Sequence, residues 1–146
     1  MTKRFTLAEA QGLVPHVDRL LREAIAWKAE YDEAAQAMQQ FTQRVMMMGG
    51  VSVDRERAID MRSRREDTAG KLRGVIEQFQ ELGCLIKDLD TGLVDFPTTF
   101  RGEEVYLCWK LGETAIEFWH GVDEGFQGRK AIDQDFLDNH QGDRHQ

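Results

Sequence analysis

The side chains able to do chemistry in this chain gather between Asp95 and Arg129, most of them in the run "VYLCWKLGETAIEFWHGVDEGFQGRK". Carboxylates beside an imidazole suit a divalent cation, and His120 with Glu113, Asp123 or Glu124 offers such a mononuclear donor set. The secondary structure around His120 decides what else can join. If residues 116–120 are helical, Glu117 and His120 form the Glu-x-x-His spacing of di-metal carboxylate bundles, although no second such motif occurs. If they are a strand, Glu117 and Trp119 face one side and Phe118 and His120 the other, so Glu117 and His120 cannot share an ion. A second chemistry is a small-ligand pocket. Trp109 and Trp119 would wall it, and Asp95, Glu113, His120 and Arg129 would supply the polar contacts.

A purely architectural use of the same residues competes with both. Asp95 on a strand and Arg129 in a glycine-rich turn are expected to pair as a buried ion pair that pins the C-terminal segment. His120 would donate to a backbone carbonyl, and both tryptophans would be core. Cys108 with His120 could form a reactive thiol pair, but a cysteine between Leu107 and Trp109 in mid-strand is expected to be inert. No nucleophile elbow, phosphate loop, dinucleotide fingerprint or zinc-protease helix occurs, so the sequence leaves open whether the chain is an enzyme.

The elements that must hold these residues read as follows. Residues 103–111 alternate, with Val105, Leu107, Trp109 and Leu111 on one face and Tyr106, Cys108 and Lys110 on the other, as in a half-buried strand. Gly112 permits a reversal, and the β-branched and aromatic content of "AIEFWHG" favours a strand paired back on residues 103–111. Upstream, "CLIKDLDTGLVDF" holds two strand-like runs around the turn Asp88–Gly92, the second ending before Pro97. Together they make a small antiparallel sheet.

The first half is helical. Thr6-Leu7-Ala8-Glu9 is a capping box with Phe5 ahead of it. Pro15 follows closely, so a short helical turn at 6–12 and then a long helix over 14–48 are expected. That helix carries a heptad: Val17, Ala24, Tyr31, Met38 and Val45 at a, with Leu20, Trp27, Ala34, Phe41 and Met48 at d. Gly49-Gly50 ends it. A second helix over 54–82 carries Ala58, Met61, Leu72, Val75, Phe79 and Leu82 on its stripe, with Arg65 and Thr68 interrupting. Arg65 is expected to reach water past Ala34. The fold class is therefore α+β: a long antiparallel, coiled-coil-like helical hairpin (6–83) with a small C-terminal sheet (84–132) and a polar, mobile tail (133–146), all in one domain.

With "FTLAEAQGLVP" ahead of them, "DLDTGLVDFP", "YLCWKLGE", "IEFWH" and "GFQGR" occur in an order similar to that of the prokaryotic domain-of-unknown-function family 2203. The resemblance covers nearly the whole chain. It implies a small cytosolic protein with a helical N-terminal half and carries over no activity, since none is assigned to the family.

Charge narrows the partners. The net charge is −7, and residues 74–146 carry 15 acidic against six basic side chains. Such a surface repels phosphate backbones and excludes general nucleic-acid binding; a cation or a basic partner protein fits it better. No apolar run reaches the length of a membrane span and no secretory signal is visible. Two cysteines make no disulfide framework, which places the chain in the cytoplasm. Leu13, Val14, Leu21 and Ile25 lie off the main stripe, and "VMMM" at 45–48 offers an apolar contact. Either the C-terminal segment or a second copy of the hairpin must cover the off-stripe residues, and homodimerisation through the hairpin is expected. The expected function is a non-catalytic homo-oligomeric interaction or scaffold module; the alternative is a small-ligand or divalent-metal-binding protein with its site around His120.

Overall fold

The structure, a computed structural model, describes residues 3–49 and 54–143. Its elements are α1 (Leu7–Met47), α2 (Arg55–Leu82), β1 (Leu85–Asp88), β2 (Leu93–Phe100), β3 (Glu103–Lys110), β4 (Phe118–Gly121), β5 (Lys130–Ala131), α3 (Gln134–Asn139) and β6 (His140–Gln141). The α+β arrangement read from the sequence is the one observed. The chain divides into two compact units, one of Met1–Leu21 with Glu77–Gln146, the other of Arg22–Ile76.

In the unit Arg22–Ile76, α1 and α2 run antiparallel. Arg64 Nη2 lies 3.3 Å from Glu30 Oε2 and 3.6 Å from Glu33 Oε2, while Arg57 covers the Phe41 ring. The contacts thus step forward along α1 as they step backward along α2. Ala24 and Ala34 of the heptad and Val75 of the α2 stripe are buried; Trp27, Tyr31, Met38, Phe41 and Val45 are half-buried, and Met48, the last d position, is exposed. Of the two interruptions, Arg65 is exposed. Thr68 is buried, its hydroxyl donating to the carbonyls of Arg64 (2.9 Å) and Arg65 (3.0 Å), so no polar group is stranded.

In the other unit the capping box forms as drawn. Thr6 Oγ1 accepts the Glu9 N–H and Glu9 Oε1 accepts the Thr6 N–H, each at 3.1 Å. The expected break before Pro15 does not occur: one helix runs from Leu7 through Pro15 to Met47. Pro15 forfeits one backbone hydrogen bond to Gln11. The turns before it are held by the capping box and by burial of Ala10 and Val14, which outweighs that loss.

Six strands among the described residues make one antiparallel sheet, ordered β1-β2-β3-β4-β5, with β6 also on β2. β2 and β3 are joined by the two residues Arg101 (φ 51°) and Gly102 (φ 82°), the twin left-handed conformations of a tight hairpin turn. β2 does not end before Pro97 but continues through it to Phe100. The Pro97 carbonyl accepts the Phe5 N–H at 2.7 Å. In a strand, a residue's N–H and carbonyl point the same way, so the donor that Pro97 lacks would fall on this edge, beyond β1. The free edge of β2 is thus filled in turn by β1, by Phe5 and by β6.

The two faces of the sheet differ. Val94, Phe96, Leu107 and Trp109 lie on one face and are fully buried; Phe96 meets Phe5 edge-on at 5.5 Å. Residues 133–143, read from the sequence as a polar tail, instead form α3 and β6. Asp133 caps α3 by accepting the Phe136 N–H. Phe136 is completely buried and stacks on Phe100, Trp119 and His140 at about 5 Å. A single aromatic among acids thus decides the fate of the segment.

Candidate functional site

Register brings the site together. β2 and β3 place Asp95 opposite Cys108, and β3 and β4 place Tyr106 opposite His120. Cross-strand partners share a face, and Cys108 and His120 are diagonal neighbours on it. Asp95, Cys108 and His120 therefore converge on the sheet face opposite Trp109. All three are buried, and one donor atom from each lies within 4.8 Å of the others.

Hydrogen bonding fixes the imidazole. His120 Nδ1 lies 2.8 Å from the Gly121 carbonyl oxygen, which can only accept, so Nδ1 carries a proton. Nε2 then faces Asp95, at 3.0 Å from Oδ1 and 3.1 Å from Oδ2. One proton lies between them. Burial pushes the Asp95 carboxyl above the ordinary carboxylate range, and the His120 charge pulls against it. Burial, reinforced by the Asp95 charge, pushes the Cys108 thiol up to about 12, which favours the protonated thiol at neutral pH while no cation stands beside it. Cys108, read from the sequence as a mid-strand thiol packed away from chemistry, stands instead among the polar groups of the site.

The triad forms part of the lining of a cleft of about 320 Å³. Leu93, Val122 and Phe126 give it apolar walls; Lys87, Asp123 and Glu124 give it charged ones. Glu124 is held in place. Its Oε1 accepts the Gly121 N–H (2.9 Å) and a proton of Lys130 Nζ (2.6 Å), and the Lys130 bond holds its carboxyl below the ordinary range. A β-carbon on Gly121 would stand 2.8 Å from Glu124 Oε1, and one on Gly128 the same distance from Glu124 Cβ. Glycine at both positions makes room for this carboxylate.

The other residues singled out in the sequence fall elsewhere. The expected Asp95–Arg129 ion pair is not formed. Arg129 Nη2 instead grips Glu113, at 2.9 Å from Oε1 and 2.8 Å from Oε2, because Glu113 is anchored in the turn by accepting the Lys110 N–H. The guanidinium stacks on the rings of Phe118 (4.1 Å) and Phe126 (4.7 Å). Glu113 and Arg129 thus brace Phe126, which borders the cleft, and do not line it. Residues 118–121 are a strand, so Glu117 points away from His120 and is exposed. Trp109 and Trp119 lie on the opposite face, Trp109 donating through Nε1 to the Glu113 carbonyl. The walls that sequence reasoning assigned to tryptophan are supplied by Leu93, Val122 and Phe126.

No curated protein and no solved structure matches the chain. A family model does, over residues 3–132, and its description is "Uncharacterized conserved protein (DUF2203)". That match spans α1, α2 and the sheet through β5, and every residue of the cleft falls inside it. The chain belongs to the DUF2203 family.

Proposed function

We propose that this protein binds a small polar molecule in the cleft beside His120. The observation that carries the reading is the buried Asp95–His120 pair in the lining of a cleft whose remaining walls mix three apolar side chains with three charged ones. Desolvated polar groups are costly to keep, and a cleft that combines such a pair with apolar walls has the composition of a ligand site. The volume accommodates on the order of ten water-sized groups, so the ligand is of metabolite size. Lys87 on one wall and Asp123 on another favour a molecule with both acceptor and donor ends. The test is a fragment screen on the full chain by heteronuclear NMR. Hits should perturb Leu93, Val122 and Phe126, and Val122→Trp should abolish them. Hits that scatter over the surface and survive Val122→Trp would reject the reading.

A second reading rests on a different observation. Met46, Met47 and Ile59 are 73%, 88% and 63% exposed within the unit Arg22–Ile76. Apolar side chains so exposed support self-association of the hairpin. The dimer expected from the heptad would then form through this end, and the chain would act as a homo-oligomeric module. Sedimentation equilibrium of the protein and of Met47→Glu with Ile59→Glu tests this; two monomeric species would discard it. Two buried free thiols are compatible with a reducing, cytoplasmic setting.

A further inference from the structure

We infer that the cleft is a metal site. Asp95, Cys108 and His120 provide three of the donors of a Zn²⁺-class divalent ion, with the fourth position open to the cleft. The inference rests on the ligand-binding reading above and supplies its chemistry.

Donor type comes first. One thiolate, one imidazole and one carboxylate is a set that borderline ions such as Zn²⁺ and Co²⁺ accept and that Mg²⁺ and Ca²⁺ do not favour. Geometry follows. A tetrahedral zinc ion with bonds of about 2.0–2.3 Å holds its donor atoms roughly 3.3–3.7 Å apart. Nε2 and Asp95 Oδ1 stand at 3.0 Å and open slightly, while the remaining separations, all within 4.8 Å, close by about an ångström or less. Both adjustments lie within side-chain rotation. The imidazole is already in the metal-binding tautomer, because the bond from Nδ1 to the Gly121 carbonyl leaves Nε2 as the donor. Finally, the three donors lie on three adjacent strands, so rigid elements hold them.

Loading is an exchange of protons for the ion. The S–H bond of Cys108 breaks and its electron pair goes to the metal. The proton shared by Asp95 and His120 leaves, freeing the Nε2 lone pair and a carboxylate oxygen. Both protons pass to solvent. A dication with one thiolate and one carboxylate is charge-neutral, which suits a buried position. With three protein donors, the open fourth position faces Lys87 and Asp123 and takes water or a small donor molecule.

Cobalt titration of the reduced, full-length protein tests the inference. Co²⁺ should bind one-to-one and give the near-ultraviolet thiolate-to-cobalt charge-transfer band with intense visible bands of four-coordination, and Zn²⁺ should abolish both. Cys108→Ser should remove the charge-transfer band; Cys84→Ser should keep it. Asp95→Asn and His120→Gln should weaken Co²⁺ binding by more than about 100-fold, since even second-sphere changes cost about 10- to 100-fold. Absence of the band in the wild-type protein overturns the inference without depending on any variant folding. A band that survives Cys108→Ser overturns it equally. The cleft reading is separable: if fragments still bind where Co²⁺ gives no band, only the metal fails. If the cobalt spectrum is as expected but unchanged by added azide or imidazole, the metal site stands and the open ligand position fails.

Discussion

The buried thiol of Cys84 makes a prediction about alkaline stability. It is 2% exposed, lies 3.9 Å from the Phe79 carbonyl, to which it donates, and is placed away from the cleft. Burial pushes it from 9.0 to about 11. Its folded pKa is raised, so its contribution to stability is complete below pH 9, where folded and unfolded chains both keep the proton. Above that the unfolded chain loses its proton while the folded chain retains it, and stability falls by ~1.4 kcal/mol per pH unit. Across the window from 9.0 to about 11 the loss is ~3 kcal/mol. Against a total of about 5–15 kcal/mol for a domain this is large. Cys84→Ala removes the titrating group. Its packing penalty is independent of pH, and the lysines and tyrosines titrate alike in both proteins. Urea unfolding of the two proteins from about pH 8 to about pH 11 therefore isolates the thiol. The wild type should lose ~3 kcal/mol relative to Cys84→Ala over that range, with no change in the difference below pH 9. A difference that stays constant through the window would refute the reasoning.

Two further substitutions address the fold. Phe136→Ala empties the aromatic stack that holds α3 and should cost about 3–5 kcal/mol by urea unfolding, with amide exchange of residues 134–141 accelerating most. Gly92→Ala forces a β-carbon at φ +74°, 2.6 Å from Leu111 Cβ, and should cost at least about 1–2 kcal/mol; an unchanged midpoint would show that the turn before β2 relaxes freely.

Periodicity made most of the architecture readable. Val17, Ala24 and Ala34 lie where the heptad puts them, and the alternation of 105–110 gives the two faces of β3, with Leu111 falling in the turn beyond it. The prolines misled, each for a reason outside its own neighbourhood. Pro15 is carried by a helix that the capping box and core burial hold on its N-terminal side, and Pro97 lies at a gap in an edge that Phe5 fills. The second error hid the site. With β2 ended at Pro97, nothing fixed its register on β3. With β2 extended to Phe100, the two-residue turn Arg101-Gly102 could have been counted outward: 100 opposite 103, and hence 95 opposite 108. Asp95 would then have met Cys108 across the strands, and His120 would have followed from the face of β4. The Arg129–Glu113 pair had no such signal, since it depends on where the segment between β4 and β5 returns.

The patched edge of β2 has a consequence for how the protein is made. Asp143 and Arg4 exchange backbone and side-chain hydrogen bonds across 139 positions of sequence. During translation the N-terminal segment therefore leaves the ribosome long before the residue that locks it. A nascent chain halted after β3 presents an open strand edge to its neighbours, and such edges recruit other chains. The cell has an interest in finishing this polypeptide quickly. Truncated products should be the species that chaperones and proteases collect.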